Sequence, residues 1–196
     1  MDFSLPCEFE GGQQLQGYLP IKKKTGTVIG RSGITFATGF DLGQNSASDI
    51  KKFNFPKELE EKLLPFVGAQ REDAKKLLPL AERTFISFEE ANLIDFKVKG
   101  LHLRSAIKRW DAHRSENTPA FRDLTSGQQI VLFSRTFHQG RRMPDLLIAQ
   151  KFYRAALDNN WVEAEKHLRN YNVPEGWYKD RVNKEADVLK RERLLK

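Results

Sequence analysis

A single cysteine, Cys7, occurs in the 196 residues, which excludes an internal disulfide framework. With no base near it in sequence, it reads as a small apolar residue and not as a nucleophile. No apolar run approaches the ~20 residues that a membrane-spanning helix needs, so insertion into a bilayer is not expected. The opening, MDFSLPCEFE, has neither a basic n-region nor an apolar stretch and does not read as a secretory signal. The four histidines, His102, His113, His138 and His167, show no ligand spacing, so neither a metal nor a cofactor is expected. Internal repeats, low-complexity tracts and long linkers are absent as well.

What the chain has is positive charge. The formal net charge is +7, with the basic residues spread and short runs at Lys22 to Lys24 and Lys190 to Arg193. Such a balance favours polyanions: nucleic acid, anionic lipid or bacterial wall polymers. No RNP-like string and no repeated basic–aromatic interleaving accompanies it, so a solvated basic surface is preferred over a nucleic-acid site. Hydrophobic and charged contents of 39% and 30% are those of an ordinary soluble globular protein. The length suffices for one domain, 1–196, with two lobes and a buried core.

Residues 1–45 are rich in glycine and turn residues, with alternating apolar and polar positions. Thr27-Val28-Ile29 and Ile34-Thr35-Phe36-Ala37 read as short strands, with Gly30 to Gly33 as a hairpin connection between them. Over 46–196 every strong pattern is helical. Phe55 to Phe66 is amphipathic, with Pro56 at a first-turn position. Ser87-Phe88-Glu89-Glu90 is a capping box opening a long helix towards His113, interrupted near Gly100. Asn117-Thr118-Pro119 breaks that pattern. Thr125 or Ser126 caps the next helix, which Gly140 stops. Asp145 to Leu157, Trp161 to Leu168 and Pro174 to Leu195 complete the series, and Tyr178, Val182, Ala186 and Leu189 recur on one inward face of the last. The pattern predicts an α+β fold: a small β-hairpin lobe over 1–45, a larger helical lobe over 46–196, and a site in the cleft between them.

Two segments carry candidate chemistry, EGGQQLQGYLP from Glu10 and GITFATGFDLGQ from Gly33. A pair of carboxylates is the equipment for splitting a glycosidic bond, one as acid and the other acting on the opposite face of the sugar. Glu10, beside Phe9 and before Gly11-Gly12, sits at an element end; Glu8 is its rival. Thr35 and Asp41 are six residues apart and share a strand face, yet a straight strand would separate them by ~20 Å. The chain must therefore bend at Thr38-Gly39, where Gly39 makes bending cheapest. Thr38 points to the other face and is the weaker participant. The Thr35 hydroxyl can both donate to and accept from a water, and Asp41 can take that water's proton. Asp41 reads equally well as the N-cap of a helix starting at Leu42. Tyr18, in a loop between the acidic candidates, is a candidate substrate-facing aromatic and with Gly39 makes up the candidate substrate-binding residues, whereas Trp110, Trp161 and Trp177 lie in helical patterns and read as packing residues.

These segments, EGGQQLQGYLP followed by SGITFATGFDLGQ, resemble the pesticin family, bacterial-toxin relatives of phage-type lysozymes. LTSGQQIVLFSRTFHQG and FYRAALDNNWVEAEKHLRNY are similar to stretches of the phage lysozymes, and WYKDRVNKEADVL is a looser match to their final helix, here through Arg181, Glu185 and Ala186. Phe40 before the aspartate and His138-Gln139 in place of an asparagine-containing turn depart from relatives. The resemblance implies a lysozyme-like fold with Glu10 as general acid and with Thr35 and Asp41 activating water for an inverting attack. It also implies cleavage of the β-1,4 bond between N-acetylmuramic acid and N-acetylglucosamine in peptidoglycan. Toxin relatives need delivery to the periplasm by a secretion system or other translocation route, and a cognate immunity protein is an expectation of the same kind. A monomer is expected. The competing functions are a non-catalytic wall-binding module on the same scaffold and a basic helical nucleic-acid binder.

Overall fold

The computed structural model describes residues 12–139, 147–173 and 176–194; of Gln139, Leu147, Ile148 and Trp177 only the backbone is described. The chain divides into two compact units, whose described parts lie within Glu10–Lys99 and within Gly100–Lys196. The fold is α+β, with a small antiparallel sheet and helices over most of the remaining chain.

In the unit Glu10–Lys99, β1 (Gln14–Tyr18), β2 (Thr35–Ala37) and β3 (Phe40–Asp41) form one antiparallel sheet in that order. Two of the expectations for this region are corrected. Thr27-Val28-Ile29 is not a strand of the sheet: Val28 makes an isolated bridge to Ile21, and the Lys22 amide donates to the Thr27 carbonyl at 2.8 Å. The hairpin turn lies at Thr38-Gly39, not at Gly30 to Gly33. Gly39 adopts φ +82°, the left-handed region open to glycine, which is what reverses the chain there.

Helix α1 (Ala47–Phe53) starts at a reciprocal Ser46–Asp49 box and ends on left-handed Asn54. Helix α2 (Lys57–Leu63) follows Pro56, which stands at the N-cap, and α3 (Glu72–Ala81) comes next. Helix α4 (Phe88–His113) opens on the expected box, with the Glu90 amide donating to Ser87 Oγ at 3.1 Å and the Ser87 amide to Glu90 Oε2 at 2.7 Å. It runs unbroken through Gly100, so no interruption exists there. Burial explains the coherence of this unit: Ile34, Phe36, Leu42, Ile50, Leu59, Leu63 and Phe66 are fully buried in one cluster. The sheet thus presents Phe36 to the helices, its ring centroid 5.7 Å from that of Phe66.

In the unit containing Gly100–Lys196, helices α5 (Ser126–Gln139), α6 (Leu147–Leu157), α7 (Trp161–Arg169) and α8 (Trp177–Leu194) share a second core. Thr125 is the cap of α5, exchanging bonds with Gln128 in both directions. Trp110 is buried and stacks on Trp161 with centroids 5.9 Å apart, so these two tryptophans pack as expected. Val182 and Ala186 are fully buried and Leu189 nearly so, while Tyr178 is half-buried.

The same core holds charge. Arg135, Arg181 and Glu185 are all 0% exposed. Arg135 Nε lies 2.7 Å from Glu185 Oε2, close enough for an ion pair but too far off line to be a hydrogen bond. The Arg135 Nη2 and Ser134 hydroxyl bonds to Glu185 Oε1, at 3.0 and 2.5 Å, supply the directed contacts.

Candidate active site

The register of the sheet gathers three of the sequence candidates. Tyr18 pairs with Thr35, and Thr35 pairs with Asp41. Directly opposed residues in antiparallel strands project to one face with Cα atoms roughly 4.5–5.5 Å apart. Tyr18, Thr35 and Asp41 therefore form a row across all three strands, with threonine in the middle. Tyr18 is the last residue of β1 and half-buried, so its expected place in a loop is corrected. The pairing needs the turn at Ala37-Thr38-Gly39, in which both Ala37 (φ +49°) and Gly39 (φ +82°) are left-handed. For Ala37 that conformation costs about 1–2 kcal/mol, so the turn must be held from outside.

Asp41 is fixed by its own backbone surroundings. Its Oδ1 accepts the amides of Gly33 and Gly43, each at 2.9 Å, and it caps the 3-10 turn Leu42–Gln44. Among the described residues its Oδ2 meets only Gln44 Nε2, at a weak 3.5 Å. Oδ1 is thus committed to the backbone, whereas Oδ2 has only this weak side-chain contact among the described residues. Burial pushes the Asp41 carboxyl above the ordinary aspartate value, against the lowering effect of the Gly33 and Gly43 amides and of Gln44. Thr35 is buried, and its hydroxyl donates to the Gly33 carbonyl at 3.1 Å. With its proton engaged there, the Thr35 oxygen can take part in a further hydrogen bond only as an acceptor.

The loop around Asp41 admits no side chains at its crossing point. A Cβ on Gly33 would lie 2.5 Å from the Ala69 carbonyl oxygen and from Gly43 Cα, and one on Gly43 would meet the same oxygen at 2.5 Å. Gln70 closes the crossing, its Nε2 donating to the Gly43 carbonyl at 2.6 Å while its Oε1 accepts from Arg31 Nε at 2.9 Å. Thr38, the weaker participant by sequence, is buried and bonded to Asp95 of α4. Sequence reasoning missed Asp95, Gln70 and Gln44; the visible signal for Asp95 was a Lys99 four residues on, which usually marks a solvent-exposed helix pair.

Glu10, its rival Glu8, and Cys7 lie outside the described residues. Among the described residues no group of histidine, cysteine and carboxylate side chains is arranged to hold a metal, and no helix is long and apolar enough to cross a membrane.

A family model described as pesticin, the C-terminal part of a bacterial toxin homologue of phage lysozyme, matches residues 1–162. The chain belongs to the pesticin family. No curated protein matches it. The pesticin match covers β1, β2, β3 and helices α1 to α6, and so spans Glu10, Tyr18, Thr35, Gly39 and Asp41. It stops before most of α7 and all of α8, where Arg181 and Glu185 lie. A lysozyme-like toxin family thus accounts for the fold.

Proposed function

We propose that the protein is a muramidase of a bacterial toxin, hydrolysing the β-1,4 bond between N-acetylmuramic acid and N-acetylglucosamine with inversion. The observation that carries this reading is the facing pair Thr35 and Asp41, with no main-chain donor to Asp41 Oδ2 among the described residues. A water between them would give one proton's hydrogen bond to Thr35 Oγ1, which can only accept, and the other to Asp41 Oδ2. Both of its lone pairs then remain free, and one can attack the anomeric carbon of the sugar. As the bond breaks, Asp41 takes the water's proton and Glu10 delivers one to the leaving oxygen. The raised Asp41 carboxyl is a stronger base for this task than an ordinary aspartate. Tyr18, in the same row, flanks the glycan, and Gly39 sets the turn.

Toxin relatives act on a bacterial wall, so delivery to the periplasm by a secretion system or other translocation route, and neutralisation by a cognate immunity protein, belong to this reading. The net charge of +7 suits an anionic wall.

Clearing of purified peptidoglycan by wild type and by Glu10→Gln tests it. Wild type is expected to clear and Glu10→Gln to lose clearing; no clearing by wild type from acid to neutral pH sinks the hydrolase reading. Survival of activity in Glu10→Gln moves the acid to Glu8. NMR of the first product reads the anomer, and a retained β-anomer refutes the role given to Asp41. A second reading, a wall-binding module without catalysis, is favoured by the cap that Asp41 makes on Leu42–Gln44. It predicts binding to peptidoglycan sacculi with no clearing.

A further inference from the structure

The turn that brings Thr35 opposite Asp41 is held by one side chain of α4. Thr38 stands between left-handed Ala37 and Gly39, and both of its hydrogen-bond donors go to Asp95. Its amide donates to Asp95 Oδ1 at 3.0 Å and its hydroxyl to Oδ2 at 2.5 Å. Oδ2 also accepts Gln13 Nε2 at 3.1 Å and pairs with Lys99 Nζ at 3.5 Å. The Gln13 amide is shared with Asn92 Oδ1, also at 3.1 Å. The Asp95 and Lys99 side chains are only 14% and 9% exposed, so this is no solvated surface pair.

From this we infer that Asp95 is a positioning residue of the proposed active site: it clamps the 37–39 turn and thereby sets the facing of Thr35 and Asp41. The inference rests on the muramidase reading. Three physical facts support it. A turn with a left-handed alanine is not self-supporting. A carboxylate accepting a backbone amide and a hydroxyl of the same residue fixes that residue's position and orientation together. Asp95 also accepts from Gln13, the residue leading into β1, which carries Tyr18 at its other end. One partly buried carboxylate thus ties the approach to β1 and the β2–β3 turn to a single helix. Asp95 itself touches neither Thr35 nor Asp41, so its effect on chemistry passes through the turn.

The test uses the full chain with Asp95→Ala, Thr38→Val, Thr38→Ser and Lys99→Met, each with two readouts. Kinetics on soluble, uncross-linked peptidoglycan strands separates kcat from KM. Hydrogen exchange followed by NMR reads the Thr38 amide, which loses its acceptor in Asp95→Ala. We expect kcat to fall on the order of 10–100-fold in Asp95→Ala with KM little changed, the scale of a small misplacement of reacting groups. Thr38→Val should fall by less, Thr38→Ser should keep wild-type kcat because its hydroxyl remains, and the Thr38 amide should exchange faster in Asp95→Ala. Lys99→Met, which spares both Thr38 bonds, should leave kcat within a few-fold. A folded Asp95→Ala protein with wild-type kcat overturns the clamp, as does unchanged exchange at Thr38. If Asp95→Ala does not fold, the Thr38→Val and Thr38→Ser pair decides: equal kcat in the two overturns it. A wild type without hydrolysis sinks the muramidase reading instead, and exchange at Thr38 still reports on the clamp.

Discussion

Thr35 and Asp41 face each other across the β2–β3 hairpin, and the threonine hydroxyl is already donating to the Gly33 carbonyl. Thr35 can therefore bind a water only as an acceptor. Thr35→Ser keeps that acceptor and is expected to retain most of the clearing rate. Thr35→Val removes it and should reduce kcat by roughly 10²-fold or more, with KM little altered. Equal rates for Ser and Val at this position would remove Thr35 from the mechanism.

The pH dependence follows from Asp41. Its carboxyl is raised by burial, so the deprotonated base is lost at a higher pH than for an exposed aspartate. The acid limb of the kcat profile should lie above the ordinary value of 3.8. Gln44 lowers the Asp41 value, so Gln44→Ala should move that limb to still higher pH. A limb that does not move, or moves to lower pH, contradicts the assignment.

Ionising a group whose folded value is raised costs stability. The contribution is fully present below the unfolded value and is lost as pH rises through the folded one. Asp41→Asn is therefore expected to abolish clearing while leaving the fold equally or more stable at neutral pH, measured by urea unfolding. A large loss of stability would show that the two amide bonds outweigh burial.

Gly43→Ala would force a Cβ to within 2.5 Å of the Ala69 carbonyl oxygen, a backbone atom that cannot swing aside. The expected destabilisation is about 1–3 kcal/mol. The displaced Gly43 amide should also weaken its bond to Asp41 Oδ1, so activity is expected to fall more than stability alone predicts.

Removing the Glu185 charge leaves Arg135 and Arg181 buried with less compensation. Glu185→Gln should cost about 3–5 kcal/mol in denaturant unfolding. Replacing Arg135, Arg181 and Glu185 together by apolar residues of similar volume should cost less than that single change, and a larger loss would argue against a dominant role for charge burial.

His138 is pushed down to about 3, first by burial and then by the nearby Arg181 and Arg135 cations. The unfolded chain takes up a proton near 6.5 that the folded chain refuses. Stability should thus decline as pH falls from about 6.5 towards 3, with this residue contributing at most about 1.4 kcal/mol per pH unit. The slope should shrink in His138→Phe, and NMR should show a neutral ring at pH 5.

The helical part was legible because caps are local. Ser87 with Glu90, Thr125 before α5, and the spacing of Val182, Ala186 and Leu189 all signal through neighbours a few residues away. The sheet was not. Thr27 to Ile29 has strand-forming residues, yet Lys22 and Pro20 draw its backbone bonds into a local excursion. Gln14 to Tyr18 looks like loop, yet it pairs because β2 offers it an edge, with Gly17 leaving room for Phe36. Even spacing put Thr35 and Asp41 on one face, and the bend at Gly39 was required for them to meet. That it is a full hairpin with direct pairing depends on Asp95, 57 residues away from Thr38, which no local pattern reveals. The burial of Arg181 and Glu185 is likewise a property of what α5 places against them.

The hairpin also turns the interval between Thr35 and Asp41 into a matter of parity. Phe36 pairs with Phe40 and Thr35 with Asp41, so the interval is the three-residue turn plus one flanking pair and the two themselves. Inserting or deleting one residue between them would either resize the turn, discarding its grip on α4, or slip the register and send the carboxylate through to the opposite surface. The interval is therefore as fixed as the glycines that flank it.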